Sequence, residues 1–249
     1  MKKTFLKYEK PLLTCMVQAK TPERIKQLID LSDNEGAETY GMQFCQMKPE
    51  YRKREVYLEL FRYTDKPTYV TNYRLFENQG KSDEQIAAEI LELAECGATL
   101  CDVMGDIYCR TEGELTMDNG AIEKQMKLID ELHARGAEVL MSSHVLKYTP
   151  AERVLEIALE HQRRGADICK IVTSADTMEQ QIENLRIVNM LKEKLDIPFL
   201  YISGGESSIL RRLSASLGSC MSLCVYEHDE LSTPLQPLLC DMKQIRELI

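Results

Sequence analysis

Two residues in this chain could carry covalent chemistry, and both sit in apolar runs that read as strands. Lys170 lies within Ala166-Asp167-Ile168-Cys169-Lys170-Ile171-Val172. A charged Lys is almost never fully buried unless it is paired. Burial lowers an amine's pKa, and a neutral amine is what attack on a ketone to form an imine requires. The competing reading is a strand-end Lys that reaches solvent or pairs with Asp102 or Asp106. His144 closes the run Met141-Ser142-Ser143-His144. Imidazole titrates near neutral pH, so a His at a strand mouth suits general acid–base work, but it can equally hydrogen-bond a loop. On neighbouring strands the two make an amine nucleophile and a proton shuttle. The other histidines, His133, His161 and His228, fall in helical or loop contexts and read as surface residues. Arg211 and Arg212 follow Ile202-Ser203-Gly204-Gly205, on a helix expected to begin near Glu206-Ser207. A glycine turn at a helix N-terminus can bind an anion through exposed N–H groups. Arg74, after Tyr73, is a further cation at a strand end.

These positions converge only if the chain repeats a strand-then-helix unit. The apolar runs are Leu12–Gln18, Glu38–Phe44, Thr68–Tyr73, Thr99–Asp106, Glu138–Ser142, Asp167–Thr173, Phe199–Ser203 and Cys220–Tyr226. Their spacing suits βα units of roughly 30 residues. Between them lie amphipathic patterns. Pro22–Asp33 carries Ile25, Leu28 and Ile29, and Ser82–Cys96 opens with a capping box, Ser82 and Gln85. Ile122–Arg135 stops at Gly136. Thr149–Arg164 opens with Thr149 as N-cap and Pro150 as first helical residue, and Thr177–Leu195 carries Ile182, Leu185 and Leu191. Eight strands alternating with about eight helices predict one (β/α)8 TIM barrel over residues 1–249, a parallel eight-stranded α/β fold. Near-continuous apolar strands suit a parallel sheet covered on both faces. An open doubly wound sheet is the alternative, but the segment after the first strand, VQAKTPER, lacks the glycine fingerprint. In a barrel the chemistry sits at the C-terminal ends of the strands, where Lys170 and His144 are expected.

Composition narrows the partners. The 249 residues carry 31 Lys and Arg against 40 Asp and Glu, a net charge of −9. Such a surface disfavours nucleic acid and anionic membranes, yet local arginines can still hold a small anion. No apolar run approaches a membrane span, and no apolar region follows the basic opening MKKTFLKYEK, so no signal peptide is expected. The nine Cys are odd in number, lie mostly in apolar runs and form no CxxC pair. They read as buried, reduced thiols of a cytoplasmic protein. No metal is expected, because no His/Cys/carboxylate cluster has ligand spacing.

Three segments carry a family likeness. VLMSSHVLKYTP, ADICKIV and STPLQ resemble type I 3-dehydroquinate dehydratase. The resemblance implies a (β/α)8 barrel that dehydrates 3-dehydroquinate to 3-dehydroshikimate through a Schiff base, without a cofactor, as a homodimer. It implies Lys170 as imine-forming residue and His144 as proton shuttle. Arg211, seven residues before Gly218-Ser219, would hold the substrate carboxylate, with Arg212 as the alternative. Arg74, in Asn72-Tyr73-Arg74, would also contact substrate. Ser232 and Gln236, in Ser232-Thr233-Pro234-Leu235-Gln236, would sit on a lid closing over a small keto acid. The likeness spans the chain and is strongest from the fifth strand onward.

The chain departs from that pattern in its hydroxyl contacts. Where the family carries E-x-R-x-D on strand two, this chain has Gly41, Gln43 and Cys45. Of the strand-four D-x-E, Asp102 is kept and Met104 replaces the Glu that the resemblance assigns to orienting the His. The departures leave open a family relative acting on another keto acid, or a barrel that only binds a ligand. A class I aldolase also uses a barrel Lys and would want a phosphate site, which the Gly204-Gly205 turn leaves open.

Overall fold

A computed structural model describes residues 3–248. The strands are β1 (Leu12–Val17), β2 (Thr39–Gln43), β3 (Thr68–Thr71), β4 (Leu100–Met104), β5 (Glu138–His144), β6 (Ile168–Ser174), β7 (Phe199–Gly204) and β8 (Met221–Cys224). The helices following them are α1 (Pro22–Glu35), α2 (Arg54–Tyr63), α3 (Asp83–Cys96), α4 (Asn119–Ala134), α5 (Ala151–Arg163), α6 (Met178–Lys194), α7 (Leu210–Leu217) and α8 (Leu239–Leu248). All paired strands are parallel, in the order β7-β6-β5-β4-β3-β2-β1-β8. Cys220 N donates to Phe199 O at 2.9 Å or less (2.8 Å), and Leu12 N to Cys220 O at 2.9 Å, so the chain entering β8 bridges the seam beside β7. The architecture is the (β/α)8 barrel that the strand count predicted.

Local signals explain most element ends. Thr21 caps α1 through its hydroxyl, which accepts from Arg24 N, and Pro22 takes the first helical position. The Ser82–Gln85 capping box forms at α3. At α5 the expectation shifts by one residue. Pro150 is itself the N-cap, with extended backbone, and the Thr149 hydroxyl donates to Lys147 O instead. Helix α7 begins at Leu210, later than expected, because the chain after Gly205 first folds onto the loop following β6.

Alternation along the strands makes two apolar layers. Ile168 and Val172 of β6 face inward with Leu100, Leu140, Leu200, Ile202, Tyr69 and Met16. Cys169 and Ile171 face outward against Val154, Ile157, Ile187 and Leu191 of α5 and α6. Phe5 is fully buried in the inner layer, and its backbone N–H donates to the Glu138 carboxylate at 2.8 Å. Lys170 lies between Ile168 and Val172, so the same alternation points it into the barrel. Seven of the nine cysteines are buried thiols, and Cys109 and Cys240 are partly exposed. Among the described residues no helix is long and apolar enough to cross a membrane.

Candidate active site

Register brings the sequence-selected pair onto adjacent strands. Ser142 of β5 lies opposite Lys170 of β6, and His144 opposite Val172. Lys170 is 4% exposed, so its ammonium needs compensation. Its Nζ donates to Tyr73 Oη at 2.6 Å, Tyr69 Oη at 3.1 Å and Asp102 Oδ2 at 3.2 Å. Both phenols in turn donate to Asp102 Oδ2, and Ser142 Oγ donates to Oδ1 at 2.5 Å. Burial pushes the Asp102 carboxyl up, but the Lys170 charge and these hydrogen bonds outweigh it and hold the pKa below the usual carboxylate range. Burial, followed by the Asp102 charge, pushes both tyrosines well up, so they remain neutral donors.

His144 is held from outside the strands. Its Nδ1 donates to Glu114 Oε2 at 2.6 Å, and its backbone N–H donates to the same oxygen at 3.0 Å. That bond fixes the neutral tautomer with its proton on Nδ1 and leaves Nε2 as the basic nitrogen. The Tyr73 ring packs edge-on against the imidazole, with centroids 5.1 Å apart. Burial pushes the Glu114 carboxyl up, but its bonds to His144 outweigh this and bring it below the ordinary value.

Glu114 comes from the long loop after β4, and sequence reading missed it. A buried clasp positions that loop. Ser143 Oγ donates to Glu114 O at 2.7 Å. Arg164, 1% exposed at the end of α5, donates to Gly105 O at 3.1 Å and Thr116 O at 2.6 Å. Gly105 has no room for a side chain, since a Cβ would lie 2.4 Å from Glu114 O. His161 is fully buried in this clasp, not on the surface as its helical context suggested. Its Nε2 donates to Ser143 Oγ at 3.0 Å, and its Nδ1 accepts from the Cys169 thiol at 3.4 Å. It lies on the face of α5 that packs on β5 and β6. Burial, followed by the Arg164 charge, pushes its pKa down to about 3.

A cavity of about 200 Å³ opens over Lys170, walled in part by His144, Tyr73, Gln43, Arg211 and Gln236. Of the two arginines, Arg211 lines this cavity and Arg212 does not. Its Nε is buried without a hydrogen-bond partner, and no ion pair reaches it among the described residues. Burial pushes its pKa down. Arg74 lines an adjoining cavity of about 440 Å³ and is fully occupied there. It pairs with Asp83 at 2.7 Å and Asp106 at 2.7 Å, so the three cations expected at the mouth leave Arg211 as the unpaired one. Ser232 is folded into its own turn, with Oγ accepting from Asp229 N at 2.9 Å. Gln236 reaches the cavity wall while its Oε1 accepts from Thr233 N at 3.0 Å.

The Gly204-Gly205 turn is not a free anion cradle. Its following N–H groups are already used: Glu206 N donates to Asp176 Oδ1 at 3.1 Å and Ser207 N to Ala175 O at 2.9 Å. Gly205 has φ +84°, and a Cβ would lie 2.5 Å from Ala175 O, so glycine is needed here for the close approach of two loops.

Comparisons with known proteins identify one family. The family model for type I 3-dehydroquinase matches residues 55–249, beginning at the start of α2. The 3-dehydroquinate dehydratase of Alkaliphilus oremlandii is 32% identical over 139 residues, 55% of this chain and 52% of that protein. That of Klebsiella pneumoniae is 30% identical over 171 residues, 68% of this chain and 62% of that protein. The matches thus span between 52% and 62% of the length of these two relatives. The crystal structure of 3-dehydroquinate dehydratase from Geobacillus kaustophilus superposes with a TM-score of 0.82 at 15% identity, covering 99% of this chain and 95% of that one. The type I enzyme from Clostridium difficile, solved with covalently modified comenic acid, gives 0.78 at 18%, covering 97% and 93%. At those identities the superpositions show the shared fold, and the family match adds the lineage: this chain belongs to the type I 3-dehydroquinase family.

Proposed function

We propose that this protein is a Schiff-base-forming hydro-lyase that converts 3-dehydroquinate to 3-dehydroshikimate by syn elimination of water. The observation that carries this reading is one cavity walled by Lys170, His144 and an arginine, Arg211, that has no carboxylate of its own. A keto acid supplies the two missing partners, a ketone for Lys170 and a carboxylate for Arg211.

The chemistry follows from the groups present. The Lys170 amine adds to the ketone carbon, and the carbinolamine loses water to give an iminium ion. The cation draws electrons from the neighbouring C–H bond, and His144 Nε2 takes that proton to leave an enamine. The enamine electrons expel the β-hydroxyl, which departs as water with the proton from His144. Water then hydrolyses the iminium, releasing the unsaturated keto acid and Lys170. Glu114 keeps Nε2 available as base and stabilises the imidazolium between the two proton transfers. Gln236 and the turn holding Ser232 cover the bound acid and exclude water.

Borohydride reduction in the presence of 3-dehydroquinate tests the reading. The expected result is a covalent adduct at Lys170, seen by peptide mass spectrometry and absent in Lys170→Ala. A second reading, the same chemistry on another keto acid, is favoured by the changed β2 wall. Adducts with other keto acids but none with 3-dehydroquinate would replace the first reading with the second. No adduct with any ketone, in folded protein, would leave a binding protein.

A further inference from the structure

The cavity over Lys170 is bounded on its far side by the ends of β1, β2 and β3. Two more buried polar atoms there lack a hydrogen-bond partner, Gln18 Oε1 and Thr71 Oγ1, and both residues line this cavity. Gln18 is 7% exposed and Thr71 2%. Buried polar atoms are nearly always paired, so two on one wall mark a surface built to meet polar groups of a ligand.

Gln18 is held by its neighbour on β2. Gln18 follows the last residue of β1, and its Nε2 donates to Gln43 Oε1 at 2.9 Å, which turns Gln18 Oε1 away from that contact. Gln43 is in register with Thr71. The three side chains thus form an uncharged strip across the ends of three strands. The strand-two position where the family likeness expects a Glu is closed. A Cβ at Gly41 would lie 2.1 Å from Met16 Sδ and 3.3 Å from the Tyr69 ring, so those two side chains fill the space. The acidic and basic side chains expected on this wall are replaced by amide and hydroxyl groups contributed from β1 and β3.

We propose that Gln18, held by Gln43, and Thr71 read the hydroxyl groups of the substrate. The substrate is then a hydroxylated keto acid held by one charged contact, Arg211, and otherwise by neutral hydrogen bonds. A substrate hydroxyl donates to Gln18 Oε1, and a second exchanges a hydrogen bond with Thr71 Oγ1. This rests on the reading that Lys170 forms an imine with a keto acid. Neutral hydrogen bonds are about half as strong as charge-assisted ones, so each contact contributes modest discrimination.

Borohydride trapping at Lys170 also tests this inference when its concentration dependence is compared for two ketones. One is 3-dehydroquinate and the other is 3-oxocyclohexane-1-carboxylate, which keeps the ketone and carboxylate but has no ring hydroxyl. Wild type should half-saturate at a lower concentration of 3-dehydroquinate. Gln18→Met and Thr71→Val should each raise that concentration about tenfold, the scale of one neutral hydrogen bond, and leave the value for the unhydroxylated ketone unchanged. Thr71→Ser, which keeps the hydroxyl, should behave as wild type and guards against a folding defect in Thr71→Val. Arg211→Leu should weaken both ketones. If Gln18→Met and Thr71→Val shift both ketones alike, or neither, the inference is overturned while imine formation stands. Trapping of the unhydroxylated ketone alone also overturns it. If wild type traps neither ketone, the imine reading fails, and this inference with it.

Discussion

On the β5–β6 side of the barrel mouth the side chains are already satisfied by the protein, whereas on the β1–β3 side two residues that line the cavity each keep a buried oxygen without a partner. Lys170 has three partners and His144 is fixed by Glu114, each supported by residues fixed in turn by Asp102, Ser142, Ser143 and Arg164. Gln18 and Thr71 instead keep an oxygen free. In the proposed reaction the nucleophile and base must be aligned before substrate arrives, because small displacements of either lower the rate steeply. Recognition groups need the opposite arrangement, since a donor or acceptor satisfied inside the fold has little left for a ligand. The difference also separates what this chain shares with its family from what is its own. The family match covers residues 55–249, and the β2 positions that depart from the family likeness, Gly41, Gln43 and Cys45, lie before it.

The largest effects are expected on the β5–β6 side. Lys170→Ala should abolish adduct formation and lower turnover on the order of 10⁴-fold or more, measured by borohydride trapping and steady-state assay. Residual turnover near wild type would remove Lys170 from the chemistry. His144→Ala should lower kcat by about 10² to 10⁴-fold while the adduct at Lys170 still forms. Loss of the adduct as well would mean that His144 is required for imine formation itself. Glu114→Ala should lower kcat about 10²-fold with trapping retained, and Glu114→Gln, which can still accept from Nδ1, should lose less. Equal loss in both variants would show that the charge matters more than the orientation.

The opposite wall is tested by restoring the family residue. Gly41→Glu should destabilise the fold by about 1–3 kcal/mol through overpacking against Met16, read as a lower urea midpoint. Adding Met16→Ala should return much of that stability, because the two side chains compete for one space. A smaller effect belongs behind β5 and β6. His161 is neutral in the fold, with a pKa of about 3 against an ordinary 6.5. The unfolded chain therefore takes up the proton first. The contribution is fully present above about pH 6.5 and is lost progressively as pH falls toward 3. Between pH 7 and pH 5 this should remove about 2 kcal/mol from wild type, and His161→Gln should lack that part of the acid slope. Parallel slopes in the two proteins would contradict the assignment.

Much of this was legible along the chain. Periodicity set the strands, the Ser82–Gln85 capping box set a helix start, and a Lys between apolar strand residues announced an amine that needed partners or a route to solvent. Glu114 was not legible. It lies 30 residues before its His, in a loop without periodic pattern, and only the Arg164 and Ser143 clasp brings it there. His161 was misjudged because a helical context does not say which face is covered until the helix is packed. Arg211 was singled out along the chain, but its unpartnered Nε and the pairing of Arg74 with Asp83 and Asp106 depend on neighbours distant in sequence.

The sequence by itself determined the (β/α)8 architecture and which strands carry the amine and imidazole, because apolar spacing and strand alternation are local properties of the chain. The tertiary structure alone decided which polar atoms are spent and which remain free. Whether a hydrogen-bonding group is satisfied depends on residues brought together by barrel closure, and no local pattern encodes that pairing.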